Sequence, residues 1–262
     1  MSPTISNQSA ATGSPESRWA DLYKIAGVAT LIMVLLIPIQ IVIYSQWPTP
    51  ETAMEIFRLF QVNKLAGILS LELTYIVSNI LSIPVYLAFY TALKRVNLTL
   101  MTLATAVGLI AIALAFTARP AFDLLFLSDQ YAAAATDAER AMLLAAGQAK
   151  IALQFGTAQN VHYVLGGLAL LFISIVMLRS AVFSKAIAAV GIFANVLTFG
   201  LYIPGVGIYL SILSVFPFLT IWLILCARTF FQLGHHHRQV QPQEQLSSHQ
   251  YSYPGDPEGA QS

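Results

Sequence analysis

Residues 25–44 read IAGVATLIMVLLIPIQIVIY, a run without a single charged side chain, preceded by Lys24 and followed at Trp47 by an aromatic residue. A hydrocarbon layer about 30 Å thick is crossed by about 20 apolar residues in a helix rising about 1.5 Å per residue, so this stretch predicts a membrane span. It is too long for the apolar region of a cleavable signal, and the polar residues before it lack the usual basic cluster, so it is expected to stay attached as an anchor. Five more such runs follow: Leu65 to Leu93, Leu98 to Ala118, Val161 to Leu178, Ala186 to Ile203 and Ile208 to Ala227. The fold class this predicts is all-α: a polytopic transmembrane bundle of six helices, with both chain ends on one side.

The bulk composition agrees. Of 262 residues, 57% are apolar and 10% charged, far from the roughly 25% charged residues of soluble domains. A net charge of +1, from 13 cations against 12 anions, leaves no basic field to gather nucleic acid. The single cysteine, Cys226, supplies neither an intramolecular disulfide nor the paired thiolates of a zinc or iron–sulfur site. The expected partner is the lipid bilayer, with a small ligand or membrane-protein partner left open, and no cofactor or metal is expected.

Short loops rich in Lys and Arg favour the cytoplasm. Arg18, Lys24, Lys94, Arg95, Arg179, Lys185, Arg228 and Arg238 fall on the side of the chain ends, eight of the 13 cations. Both termini are therefore expected in the cytoplasm, with residues 1–19 and 234–262 as disordered polar tails around a transmembrane domain of residues 20–233. On the outer side, Glu51 to Phe60 groups Met54, Ile56, Phe57 and Phe60 on one face, the pattern of a short interfacial helix. Thr136-Asp-Ala-Glu139 is a capping box, and Met142, Ala146, Ala149 and Leu153 then recur at helical spacing, as if that face packed on the bundle. His235, His236 and His237 form a polar run with no carboxylate or cysteine at ligand spacing. Pro38, Pro84 and Pro217 are expected to bend their spans.

Polar side chains inside a span are costly and so are the natural place to look for function. In the second span Glu72, Tyr75, Asn79, Ser82 and Tyr86 lie at offsets of 0, 3, 7, 10 and 14 residues. At about 100° per residue all five fall within an arc of about 80°, one stripe expected to face the bundle interior or a water-filled crevice. Together with Arg119, His162 and Asn195, residues Glu72, Tyr75 and Asn79 form the candidate polar crevice. Gln40, Arg119, Asp123, Asn160, His162 and Tyr202 stand at a similar depth to Glu72, and Arg119 or His162 is its expected ionic partner. The small-residue pairs Ala104 with Gly108, Ala111 with Ala115, and Gly191 with Asn195 predict close helix approach.

Two stretches carry a family likeness: IPVYLAFYTALKRVNLTLMTLATAVGLIAIAL, from Ile83 to Leu114, and GGLALLFISIVMLRSAVFSKAIAAVGIFANV, from Gly166 to Val196. Both resemble a bacterial six-span membrane family known as domain of unknown function 4386, a likeness covering most of residues 20–230. The resemblance implies six helices and a bacterial inner membrane; it carries no activity, substrate or site residue. The expected function is a non-enzymatic, multi-pass membrane protein for packing, sensing or assembly. Its rival is a small-solute or ion carrier using the crevice around Glu72 and Asn79. A third reading, a membrane-embedded hydrolase, would need Ser70, Glu72 and His162 to meet.

Overall fold

The computed structural model describes residues 15–47 and 50–250, with side chains over 19–47 and 50–235. It is all-helical among those residues, and six stretches are long and apolar enough to cross a membrane. The chain opens with α1 (Pro15–Gln46), turns through the short α2 (Ala53–Val62), and returns as α3 (Lys64–Leu93). Helix α4 (Leu98–Thr117) leads to α5 (Ala121–Ala133), α6 (Asp137–Ala152) and then α7 (Thr157–Met177). The last hairpin joins α8 (Lys185–Phe199) to α9, which begins as Gly207–Leu213, widens over Ser214–Leu219 and continues as Thr220–Gln250.

Helices α1 and α9 lie antiparallel, so residues 19–27 and 230–234 share one face, here the near face. Tyr23 stacks on Phe230 with ring centroids 6.3 Å apart, and a Cβ on Gly27 would stand 2.9 Å from the Phe231 ring. The bundle is tied together there by an aromatic knot: Phe89 lies 4.9 Å from Phe230, 5.6 Å from Trp222 and 6.0 Å from Phe183. Lys94 closes it from outside, its ammonium 5.0 Å from the Trp19 ring. Away from this core the apolar residues turn outward. Leu35 is 61% exposed, and Val28, Ile39, Ile41 and Val42 of the same helix are exposed too, an apolar surface suited to lipid chains.

Helix α4 packs on α7, and its small residues Ala104, Gly108, Ala111 and Ala115 are all buried, Ala111 facing Gly166 of α7 and Gly108 lying under the Tyr86 ring of α3. Helices α1 and α3 run on through Pro38 and Pro84. In α9, by contrast, the wide turn holds Pro217: Phe216 leaves helical geometry (φ −115°, ψ 108°) and the Phe216–Pro217 peptide is cis.

On the far face, α2, α5 and α6 form a cap with its own core of Ile56, Phe57, Phe60, Leu124 and Ile151. The start of α6 matches the expected capping box, and α2 has a second one that the sequence reading did not single out. Thr52 and Glu55 form a capping box at α2, as Thr136 and Glu139 do at α6, each satisfying amides that the first turn leaves free. The packing face of α6 differs from the expectation. Met142 is 65% exposed, and Ala146, Ala149 and Leu153 are exposed too, whereas Gly147 and Ile151 are buried. The reason is Phe57, whose ring lies where a Cβ on Gly147 would stand, 2.8 Å from its Cζ; the residue without a side chain admits the aromatic ring. At the chain ends, α1 begins at Pro15 and α9 runs to Gln250, each reaching into a segment expected as a tail; residues 1–14 and 251–262 of those segments lie outside the described residues.

Candidate functional site

The polar stripe of α3 faces inward as expected: Glu72, Asn79 and Tyr86 are 2%, 8% and 6% exposed. It does not form one site. Seven residues separate Glu72 from Asn79, about 10 Å along the axis at about 1.5 Å per residue, and the neighbouring helices present different partners at the two depths.

The upper layer is built around a helix start. Helix α3 contains a wide π turn at Leu69–Leu73, which carries Glu72, and α5 begins at Ala121 after Pro120 with no side-chain cap of its own. The Glu72 Oε2 accepts a 2.7 Å hydrogen bond from the Ala121 amide. The carboxylate is thus a cap supplied by a different helix, placed where the positive end of the α5 dipole favours a negative charge. Neither expected ionic partner touches the carboxylate, although Arg119 stands near enough to attract its charge. Arg119 lays its guanidinium over the Tyr75 ring, Cζ 4.0 Å from the centroid, and makes no ion pair among the described residues. His162 Nδ1 lies 2.8 Å from the Ala111 carbonyl; a carbonyl only accepts, so Nδ1 carries the proton. The His162 ring also meets Tyr75 edge-on at 5.7 Å. Nearby, Asp123 pairs with Lys150 at 3.5 Å. Gln40 is occupied by Tyr44, and Tyr202 by the Asn160 carbonyl, so neither reaches Glu72.

Ser70, Glu72 and His162 do not assemble a nucleophile and base. The Ser70 hydroxyl donates to the Gly67 carbonyl at 3.1 Å, and the other two are held by Ala121 and Ala111. Among the described residues no group of three or more His, Cys, Asp or Glu is placed to hold a metal ion; the side chains of His236 and His237 lie outside them.

Deeper, α3, α4, α7, α8 and α9 enclose a cavity of about 310 Å³. Asn79, Ser82, Tyr86, His162 and Asn195 line it with Tyr163, Thr198 and Ser211, and no Asp, Glu, Lys or Arg does. Several of these groups are already committed. Ser82 donates to the Ser78 carbonyl at 2.9 Å, and Thr198 to the Ala194 carbonyl at 3.2 Å, with Ser214 2.9 Å away. Others are not. Asn79 and Asn195 each spend the amide NH2 on the carbonyl four residues back, at 3.0 and 2.7 Å, and their side-chain oxygens make no hydrogen bond among the described residues. The Tyr86 and Ser211 hydroxyls are unbonded among them too. Space is kept open by glycine: an added Cβ on Gly166 would find its nearest neighbour, Ala111, at 3.9 Å.

Of the six sequence-predicted residues, then, Asn79, His162 and Asn195 line the cavity, while Glu72, Tyr75 and Arg119 belong to the layer above it. Tyr163, Thr198 and Ser211 were missed. Thr198, three residues after Asn195, sits on the same face of α8, a spacing that would have singled it out.

Neither a curated protein nor a solved structure matches the chain. The family model described as Domain of unknown function (DUF4386) matches residues 25–231, most of the chain, and the chain belongs to that family.

Proposed function

We propose that this membrane protein binds a small, uncharged, hydrogen-bonding solute between its spans and passes it through the bundle. The single observation that carries this reading is the cavity: about 310 Å³, at the small end of the roughly 300 to 1,000 Å³ typical of ligand pockets, with free oxygens from Asn79, Asn195 and Tyr86 and no charged side chain in its wall. An uncharged wall disfavours a bare ion, whose hydration shell would have to be replaced. Proton coupling through Glu72 loses its support, because that carboxylate serves the α5 amide.

The near face carries Lys24, Lys94, Arg95, Arg179, Lys185 and Arg228, which supports a cytoplasmic location for it, and the family resemblance supports a bacterial inner membrane. The test is the permeability of proteoliposomes to acetamide and glycerol, read by osmotic light scattering. Passage above that of empty liposomes, abolished by Gly166→Phe in a protein that still folds, supports the reading. Permeability equal to empty liposomes, or unchanged by Gly166→Phe, contradicts it.

A further inference from the structure

A second hollow, of about 320 Å³, lies beside the cavity and shares Tyr163 and Leu201 with it; its wall includes Arg119, Gln159 and Asn160. We infer that this vestibule binds an oxyanion, the carboxylate or phosphate of a free solute or of a lipid head group, on the Arg119 guanidinium. The site is distinct from the cavity and does not depend on solute passage.

Three observations converge. The first is a cation with no counter-ion in contact. Arg119 makes no ion pair among the described residues, and its Nε is buried and unbonded, while the Tyr75 ring beneath, 4.0 Å from Cζ, fixes the plane of the guanidinium. A planar, weakly hydrated fork held against an aromatic face is suited to the two oxygens of a carboxylate or phosphate. Of the nearby acids, Glu72 attracts Arg119 from beyond contact distance while its Oε2 accepts from the Ala121 amide, and Asp123 pairs with Lys150, so no carboxylate touches the guanidinium.

The second is Gln159, only 5% exposed, with its Oε1 buried and unbonded. Its Nε2 lies 3.4 Å from the Tyr75 hydroxyl, a long contact. Turned about its last torsion, the same amide accepts from that hydroxyl and frees an NH2 for an incoming anion, so the side chain has a donor in reserve. The third is that α7 starts at this wall, after Gly156, with no side-chain cap on its first amides, which adds positive potential in the same direction.

The experiment is calorimetric titration of the full chain in nanodiscs of neutral phosphatidylcholine, using butyrate and inorganic phosphate as probes and butyramide as the uncharged isostere of butyrate. At least one oxyanion is expected to bind ten-fold or more tightly than butyramide, with Arg119→Gln removing that preference and Arg119→Lys keeping part of it. Replacing half the lipid with phosphatidylglycerol distinguishes the sources: competition with butyrate or phosphate assigns the site to a lipid head group, and none assigns it to a free solute. Butyramide binding as well as both anions, or a folded Arg119→Gln that keeps the preference, overturns the inference. Should Arg119→Gln not fold, the wild-type ratio of anion to butyramide decides alone.

Discussion

The Glu72 layer and the cavity beneath it are made from the same face of the same helix, yet they spend their polar groups differently. In the upper layer the one carboxylate is matched to a backbone amide 2.7 Å away, the residue types fit together like a joint, and the surroundings are packed by the α2, α5 and α6 cap. In the cavity the asparagines satisfy only one end of each amide and leave the other facing open space. These oxygens are open to the hollow rather than walled in, so a molecule entering it would find acceptors and hydroxyls that the protein itself does not use. The lesson is that a polar residue inside a membrane is read by what is left over after its neighbours are served.

Substitutions in the two layers should have different consequences. The largest stability effect is expected for Glu72→Ala, which orphans the buried Ala121 amide at a cost of about 1–3 kcal/mol and leaves a void besides, whereas Glu72→Gln keeps an acceptor and stays close to wild type. Unfolding midpoints in mild detergent or bicelles check both. Next comes Gly108→Ala, whose Cβ collides with the Tyr86 ring; overpacking of this kind costs about 1–3 kcal/mol and should also constrict the cavity. Tyr86→Phe sharpens the contrast further. Its hydroxyl makes no hydrogen bond among the described residues, so stability should barely change while acetamide passage falls. The smallest effect is at the surface: Lys64 and Asp129, 2.7 Å apart with more than half of each side chain exposed, form an ion pair worth less than about 1 kcal/mol, so Lys64→Ala should be nearly silent in the same assay.

Much of the architecture was written in the chain because a bilayer demands long apolar runs and backbone groups that satisfy themselves. The six spans and the capping box of Thr136 with Glu139 follow from local rules, whereas the second box, Thr52 with Glu55, went unread. The inward turn of the α3 stripe was legible for the same reason, since lipid accepts neither Glu72 nor Asn79. What the sequence hid was partnership across elements. Arg119 and His162 stood at the right depth to neutralise Glu72, but the turn after Arg119-Pro120 brings a helix start within reach first, and an amide at 2.7 Å takes the carboxylate. Periodicity also misjudged α6, where Gly147 rather than a larger residue marks the packed face because Phe57 fills the place of its side chain. Nor does any local pattern reveal that Gly166, Thr198 and Ser211, from three different spans, border one hollow.

If the lower half of the stripe faces a working cavity, water and small solutes reach it. The direct measurement is the reactivity of Gly166→Cys, made in a Cys226→Ser background to remove the buried native thiol, toward a small neutral thiosulfonate added from the aqueous phase. Because a thiol reacts through its ionised form, modification reports a wet site. The account predicts that Gly166→Cys is modified far faster than Cys226 in the unaltered chain; a Gly166→Cys thiol as inert as Cys226 would show the cavity to be closed and dry, and would contradict it.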